Sequence, residues 1–151
     1  MQQDSGFNGQ PRQNASPRRD GMAQVLVVDD DPSIRRLLVV TLQRQGYRTL
    51  EACNGREALA EMRSGNPDIV VMDLVMPEVS GWDVLIERAQ DPALLRIPMI
   101  VITASNIHKA RVDVLARQIC GVIAKPFDLE TVLTTVTECL ENPGVLAPVA
   151  A

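Results

Sequence analysis

Two apolar runs in the sequence stop at carboxylates. Val25-Leu26-Val27-Val28 runs into Asp29-Asp30-Asp31, and Ile69-Val70-Val71-Met72 runs into Asp73. A β-branched run of this kind reads as a strand buried on both faces, as in a parallel sheet. An acid is costly there unless it stands at the strand's open end. If the two strands are neighbours, their carboxylates meet at one sheet edge. They repel one another and hold protons unless a cation joins them. Magnesium suits such a cluster, because it takes oxygen ligands from one or two carboxylates and keeps places for water and phosphoryl oxygens. Two further residues follow apolar strand cores, Thr103 and Lys125. A strand-end carboxylate can act as a nucleophile toward phosphorus. As a set, Asp29 and Asp30 would hold the metal and Asp73 would attack. Thr103 and Lys125 would bind the phosphoryl group, with the cation neutralising its charge.

The elements that must position these residues alternate along the chain. A strand over about Gln24 to Val28 leads to a helix with Asp31 as N-cap and Pro32 in its first turn. The apolar face of that helix is Ile34, Leu37, Leu38, Thr41 and Leu42, and Gly46 ends it. A strand over about Tyr47 to Ala52 precedes a helix over about Gly55 to Ser64, broken by Gly65-Asn66-Pro67. A third strand, Ile69 to Met72, leads through a Pro77-containing loop to a helix near Trp82 to Gln90. The fourth strand is Met99 to Ile102, followed by a helix over about Ile107 to Gln118. The fifth strand is Val122 to Ala124. The last helix follows Asp128 and buries Leu129, Val132, Leu133, Val136 and Leu140. Five apolar strands alternating with helices give an α/β fold with a parallel sheet and right-handed crossovers. Sites on such sheets form outside the carboxyl ends of the strands, which gathers Asp29, Asp30, Asp73, Thr103 and Lys125.

Composition sets limits on function. The 151 residues suit one domain, here about residues 23–141. Residues 1–22 are rich in Gln, Asn, Ser, Gly, Pro and Arg and read as a disordered tail, and residues 142–151 as a C-terminal tail. The net charge of -4 and the 3% aromatic content argue against a nucleic-acid-binding face. The odd set Cys53, Cys120 and Cys139, without a C-x-x-C pair, argues against a disulfide framework and for a reducing cytosol. Neither a signal peptide nor an apolar run of membrane-spanning length is evident, so a cytoplasmic protein away from membranes is expected.

Five stretches taken together resemble the receiver domains of two-component response regulators, of the chemotaxis-regulator kind. They are Leu26-Val27-Val28-Asp29-Asp30, Val71-Met72-Asp73-Leu74-Val75-Met76-Pro77, Ser80-Gly81, Ile102-Thr103-Ala104 and Lys125-Pro126-Phe127. The resemblance covers about Gln24 to Glu141. It implies a flavodoxin-like, doubly wound five-stranded sheet of order 2-1-3-4-5 with five helices. It also implies a phosphoryl group passed to Asp73 by a histidine kinase or a histidine phosphotransfer protein. Asp30 matches the direct ligand of Mg2+, with Mn2+ as a substitute, Asp29 its partner acting through water, and the backbone carbonyl of Val75 the third protein ligand. Lys125-Pro126 matches a cis peptide. Such a domain catalyses only its own phosphorylation and dephosphorylation, and so is no enzyme in the usual sense. Switch and output positions map to Ala104, Val122 and Pro126.

The chain departs from the family at four positions, of which Ser80, where many members carry an acid, is expected to matter little. Val122 stands where a rotating aromatic is usual, so the helix over Ile107 to Gln118 and the fifth strand are expected to signal by smaller shifts. Val75 and Ser105 flank the phosphoryl site where polar groups can orient a hydrolytic water, and a comparatively long-lived phosphorylated form is expected. Only a short tail follows the last helix. Output is therefore expected through protein–protein contact or as a relay, from a monomer or weak homodimer. The alternatives are a phosphorylation-independent interaction module and the receiver fragment of a longer regulator. Two other functions fit poorly. A dehalogenase-type phosphatase needs an acid where Val75 stands, and a nucleotide or flavin binder needs a Gly- or Ser/Thr-rich loop where Asp29-Asp30-Asp31-Pro32 stands. Asp31 reads as a cap rather than a third ligand, and His108 as a solvated side chain rather than a phosphocarrier.

Overall fold

A computed structural model describes residues 22–104 and 119–142. In chain order the elements are β1 (Gln24–Val28), α1 (Pro32–Arg44), β2 (Arg48–Ala52), α2 (Gly55–Ser64) and β3 (Ile69–Asp73). There follow α3 (Gly81–Ala89), α4 (Pro92–Leu95), β4 (Met99–Ala104), β5 (Gly121–Lys125) and, last, α5 (Leu129–Glu141). The strands form one parallel sheet in the order β2-β1-β3-β4-β5. The helix expected over Ile107 to Gln118, together with His108, Ser105 and both tails apart from Met22 and Asn142, lies outside the described residues. The one-turn helix α4 was not expected.

Side chains of each central strand alternate between two apolar layers, as the period of two requires. Leu26, Val28, Val70, Met72, Met99, Val101 and Val122 pack with Ala58, Leu59 and Met62 of α2 and Val84 and Leu85 of α3. Val25, Val27, Ile69, Val71, Ile100, Ile102 and Ile123 pack with Leu38, Val39 and Leu42 of α1 and Val132 and Val136 of α5. Helices therefore cover both faces, which is why these strands read as continuous apolar runs. In α1, Val39 takes the core place expected of Leu37, which is 49% exposed. In α5, Thr135 and Cys139 are buried beside Val132 and Val136, while Leu129, Leu133 and Leu140 sit at the rim of that layer.

Caps fix where the helices begin. The Asp31 carboxylate accepts from the N–H groups of Ser33 and Ile34, with Pro32 in the first turn of α1. Asn54 caps α2 through Glu57, Ser80 and Asp83 form a reciprocal capping box on α3, and Asp128 caps α5 through Thr131. Gly46 closes α1 at φ +94°, a conformation that favours glycine. Arg88 on α3 is 2% exposed and donates to the carbonyls of Leu95 and Ile97, tying down the connection into β4. Burial lowers its pKa to about 10.

The cysteines require a correction. Cys120, just before β5, and Cys139, on α5, are joined by a disulfide, with Cα atoms 5.8 Å apart and a sequence separation of 19. The odd count carried the opposite inference, but spacing along the chain does not show which residues the α5–β5 packing brings together. Cys53 is free.

Candidate functional site

The strand ends deliver the residues. Asp73 is the last residue of β3, and Lys125 is the last residue of β5, paired in register with Ala104. Thr103 lies within β4, opposite Ala124 of β5. Each therefore belongs to its strand instead of following it, as the shorter strands expected from sequence implied. Asp29 and Asp30 follow β1 directly. The central strands β1, β3 and β4 are adjacent, so these groups share one edge of the sheet.

Asp29, Asp30 and Asp73 each bring a carboxylate oxygen within 4.8 Å of the others. Asp29 is 1% exposed and Asp73 is 4% exposed, while Asp30 opens to solvent. The Asp29 N–H donates to Ala52 O at 3.2 Å. Its Oδ1 accepts from the Asp31 N–H at 2.9 Å, whereas its Oδ2 is buried without a hydrogen-bond partner. A buried, orphaned carboxylate oxygen among acids is what a hard cation would satisfy, so the donor set fits Mg2+. Burial pushes the Asp29 carboxyl above its usual range. Asp73 and Asp30 add to that rise, and the Asp31 N–H and Lys125 oppose it.

Lys125 Nζ donates to Asp73 Oδ2 at 2.7 Å, and the Val75 N–H donates to Asp73 Oδ1 at 2.9 Å. Both oxygens of Asp73 are thus directed. Burial works against the charged Lys125 amine, but the bond to Asp73 and the fields of Asp73, Asp29 and Asp30 outweigh it and raise its pKa. The Lys125-Pro126 peptide is cis. Thr103 is 4% exposed, and its hydroxyl is turned to the Ala104 carbonyl at 3.3 Å. Val122 is buried against the core, and Val75 is 63% exposed. Gly81 is pressed against the loop that follows Asp73, and its N–H donates to Leu74 O at 3.0 Å.

The chain matches the family model described as the response regulator receiver domain over residues 25–137. This chain belongs to the response regulator receiver family. The receiver is 33% identical to the protein PilH of Pseudomonas aeruginosa over 119 residues, covering 79% of this chain and 98% of PilH. It is 36% identical over 114 residues to CqsS, an autoinducer sensor kinase/phosphatase of Vibrio cholerae, of which it covers only 17%. Among solved structures it is similar to the chemotaxis response regulator CheY4 of Vibrio cholerae. The TM-score there is 0.70 and the identity 32%, over 78% of this chain and 98% of that one. The receiver is thus a domain of two-component signalling, whose members are signalling domains rather than classical enzymes.

One residue at this site escaped the sequence reading. Arg35 of α1 donates from Nη1 to the Asp29 carbonyl at 2.8 Å and pairs through Nε with Glu51 Oε1 at 3.2 Å. Its place one helical turn beyond the Asp31 cap was the available signal, since that turn covers the end of β1.

Proposed function

We propose that the receiver accepts a phosphoryl group on Asp73 from a histidine kinase or a histidine phosphotransfer protein. The supporting observation is the juxtaposition at one sheet edge of the Lys125–Asp73 ion pair and the orphaned Asp29 carboxylate oxygen. A carboxylate oxygen of Asp73 forms the bond to phosphorus as the P–N bond of phosphohistidine breaks. The electron pair of that bond leaves on the imidazole, which takes up a proton. Asp29, Asp30, Asp73 and the Val75 carbonyl would hold Mg2+, which would neutralise charge on the phosphoryl oxygens. Lys125 supplies a second positive charge, released from Asp73 toward the new group. Thr103 would turn its hydroxyl from the Ala104 carbonyl to donate to that group.

The acyl phosphate carries roughly two negative charges where the Asp73 carboxylate carried one, and it offers three acceptor oxygens. The two-state element they bias runs through Ala104, Val122, Lys125-Pro126 and α5, and partners read it by protein–protein contact. The receiver works as a cytoplasmic monomer or weak homodimer, as a regulator or relay. Its test is the addition of Mg2+ and beryllofluoride, a phosphoryl mimic, with Trp82 fluorescence as readout and Asp73→Asn as control. A magnesium-dependent change in the wild type alone is expected. The absence of any such change sinks the phospho-switch reading.

A further inference from the structure

The main chain at the acid cluster is held by a group that phosphoryl chemistry does not use. Asp29 makes its last rung with β2 through its N–H to Ala52. Its carbonyl turns to α1 and accepts from Arg35 Nη1 at 2.8 Å. The same guanidinium sets its Nε 3.2 Å from Glu51 Oε1 on β2. The Arg35 side chain is 20% exposed and that of Glu51 is 47% exposed, so the inner bond is sheltered and the outer one faces water. One planar, multiply donating group therefore joins α1, the end of β1 and the outer strand β2.

The Asp29 carbonyl belongs to the peptide plane that links Asp29 to Asp30. Fixing that oxygen fixes the direction in which Asp30 leaves the strand. The Asp31 N–H fixes the Asp29 side chain through Oδ1, and Oδ2 is left buried without a hydrogen-bond partner. We propose that Arg35, braced by Glu51, is a positioning residue that aims the two adjacent carboxylates for divalent-cation binding. This rests on the reading that the cluster takes Mg2+ and adds the residue that sets its geometry.

The sign of the effect separates positioning from charge. If Arg35 acted only as a nearby cation, removing it would make the cluster more negative and Mg2+ would bind tighter. If it positions the carboxylates, removing it weakens binding, because partners that orient metal ligands typically contribute about tenfold or more in affinity. Mg2+ binding is therefore measured by titration calorimetry on the full chain, with the metal-free urea midpoint recorded alongside. Arg35→Gln should raise the Mg2+ dissociation constant about tenfold. Arg35→Lys reaches only one of the two acceptors at a time and should fall between. Arg36→Gln removes the same charge from the next, exposed residue and should leave affinity unchanged or slightly tighter. Glu51→Ala should weaken binding less than Arg35→Gln, and the double variant should be no weaker than Arg35→Gln alone. Arg35→Gln that binds Mg2+ as tightly as wild type, or tighter, overturns the proposal while leaving the cluster's reading in place. Wild-type protein that takes up no Mg2+ overturns both together.

Discussion

Replacing Gly81 with alanine should damage both the fold and the acid cluster, and the cost can be worked from contacts. A Cβ at position 81 would lie 2.7 Å from the Asp73 carbonyl oxygen and 2.7 Å from Leu74 Cα, where ordinary contact begins at 3.4 Å. Both obstacles are backbone, so no side chain can rotate away. The Leu74 N–H is bonded to Ile102 O at 3.0 Å, so the end of β3 cannot yield without disturbing β4. Either the start of α3 lifts or Asp73 shifts. Overpacking of this kind costs about 1–3 kcal/mol. Alanine's lower conformational entropy in the unfolded chain returns about 0.5–1 kcal/mol. The net expectation is a loss of up to about 2.5 kcal/mol of stability in urea titrations, with weakened Mg2+ binding by calorimetry. Gly46→Ala is the comparison. Its Cβ meets nothing within 4 Å, but its φ of +94° strains any side chain, so it should lose stability and keep its Mg2+ affinity. Gly81→Ala with wild-type stability and affinity would refute the claim that α3 packing sets the position of Asp73.

Four further outcomes are expected. Denatured, unreduced protein should show one reactive thiol, Cys53, and three after reduction; three before reduction would contradict the Cys120–Cys139 bond. Opening that bond by Cys139→Ala should lower the melting temperature, since a crosslink over a loop of this length contributes about 3 kcal/mol through the unfolded state. Hydrogen bonds from Thr131 hold the Asp128 carboxyl below its ordinary value of 3.8, so its contribution is present above that pH. The stability gap between wild type and Asp128→Asn should be full there and close as pH falls through the folded-state value; a gap independent of pH would contradict it. Val75 is exposed beside Asp73, and Val75→Asn should speed decay of the aspartyl phosphate by offering a group to orient water. An unchanged half-life would count against a long-lived phosphorylated form.

Most of the site was legible because its chemistry is written at strand ends. Apolar runs locate Asp29, Asp73 and Lys125 without knowledge of any contact, and the Asp31-Pro32 and Asp128 caps fix the helices on either side. Legibility ended where a residue's role depends on what tertiary packing places against it. Leu37 and Val39 lie on opposite sides of α1, and only the docking of α1 on the sheet decides that Val39 is the buried one. Cys120 and Cys139 are 19 residues apart in sequence and meet only because α5 packs against the start of β5. Arg35 carries no motif of its own, and its role emerges only where the turn after β1 brings the Asp29 carbonyl to it. Arg88 is charged yet buried, because the carbonyls of Leu95 and Ile97 that satisfy it belong to a connection that no periodicity describes.

The central claim is that Asp73 is the phosphoryl acceptor. Its most direct test is incubation of the full chain with Mg2+ and a small acyl phosphate donor, followed by mass spectrometry with peptide mapping. One phosphoryl group on Asp73 is expected, dependent on Mg2+, labile to hydroxylamine and absent from Asp73→Asn. Persistent labelling of Asp73→Asn, or a phosphoryl group mapped to another residue in the wild type, would contradict it.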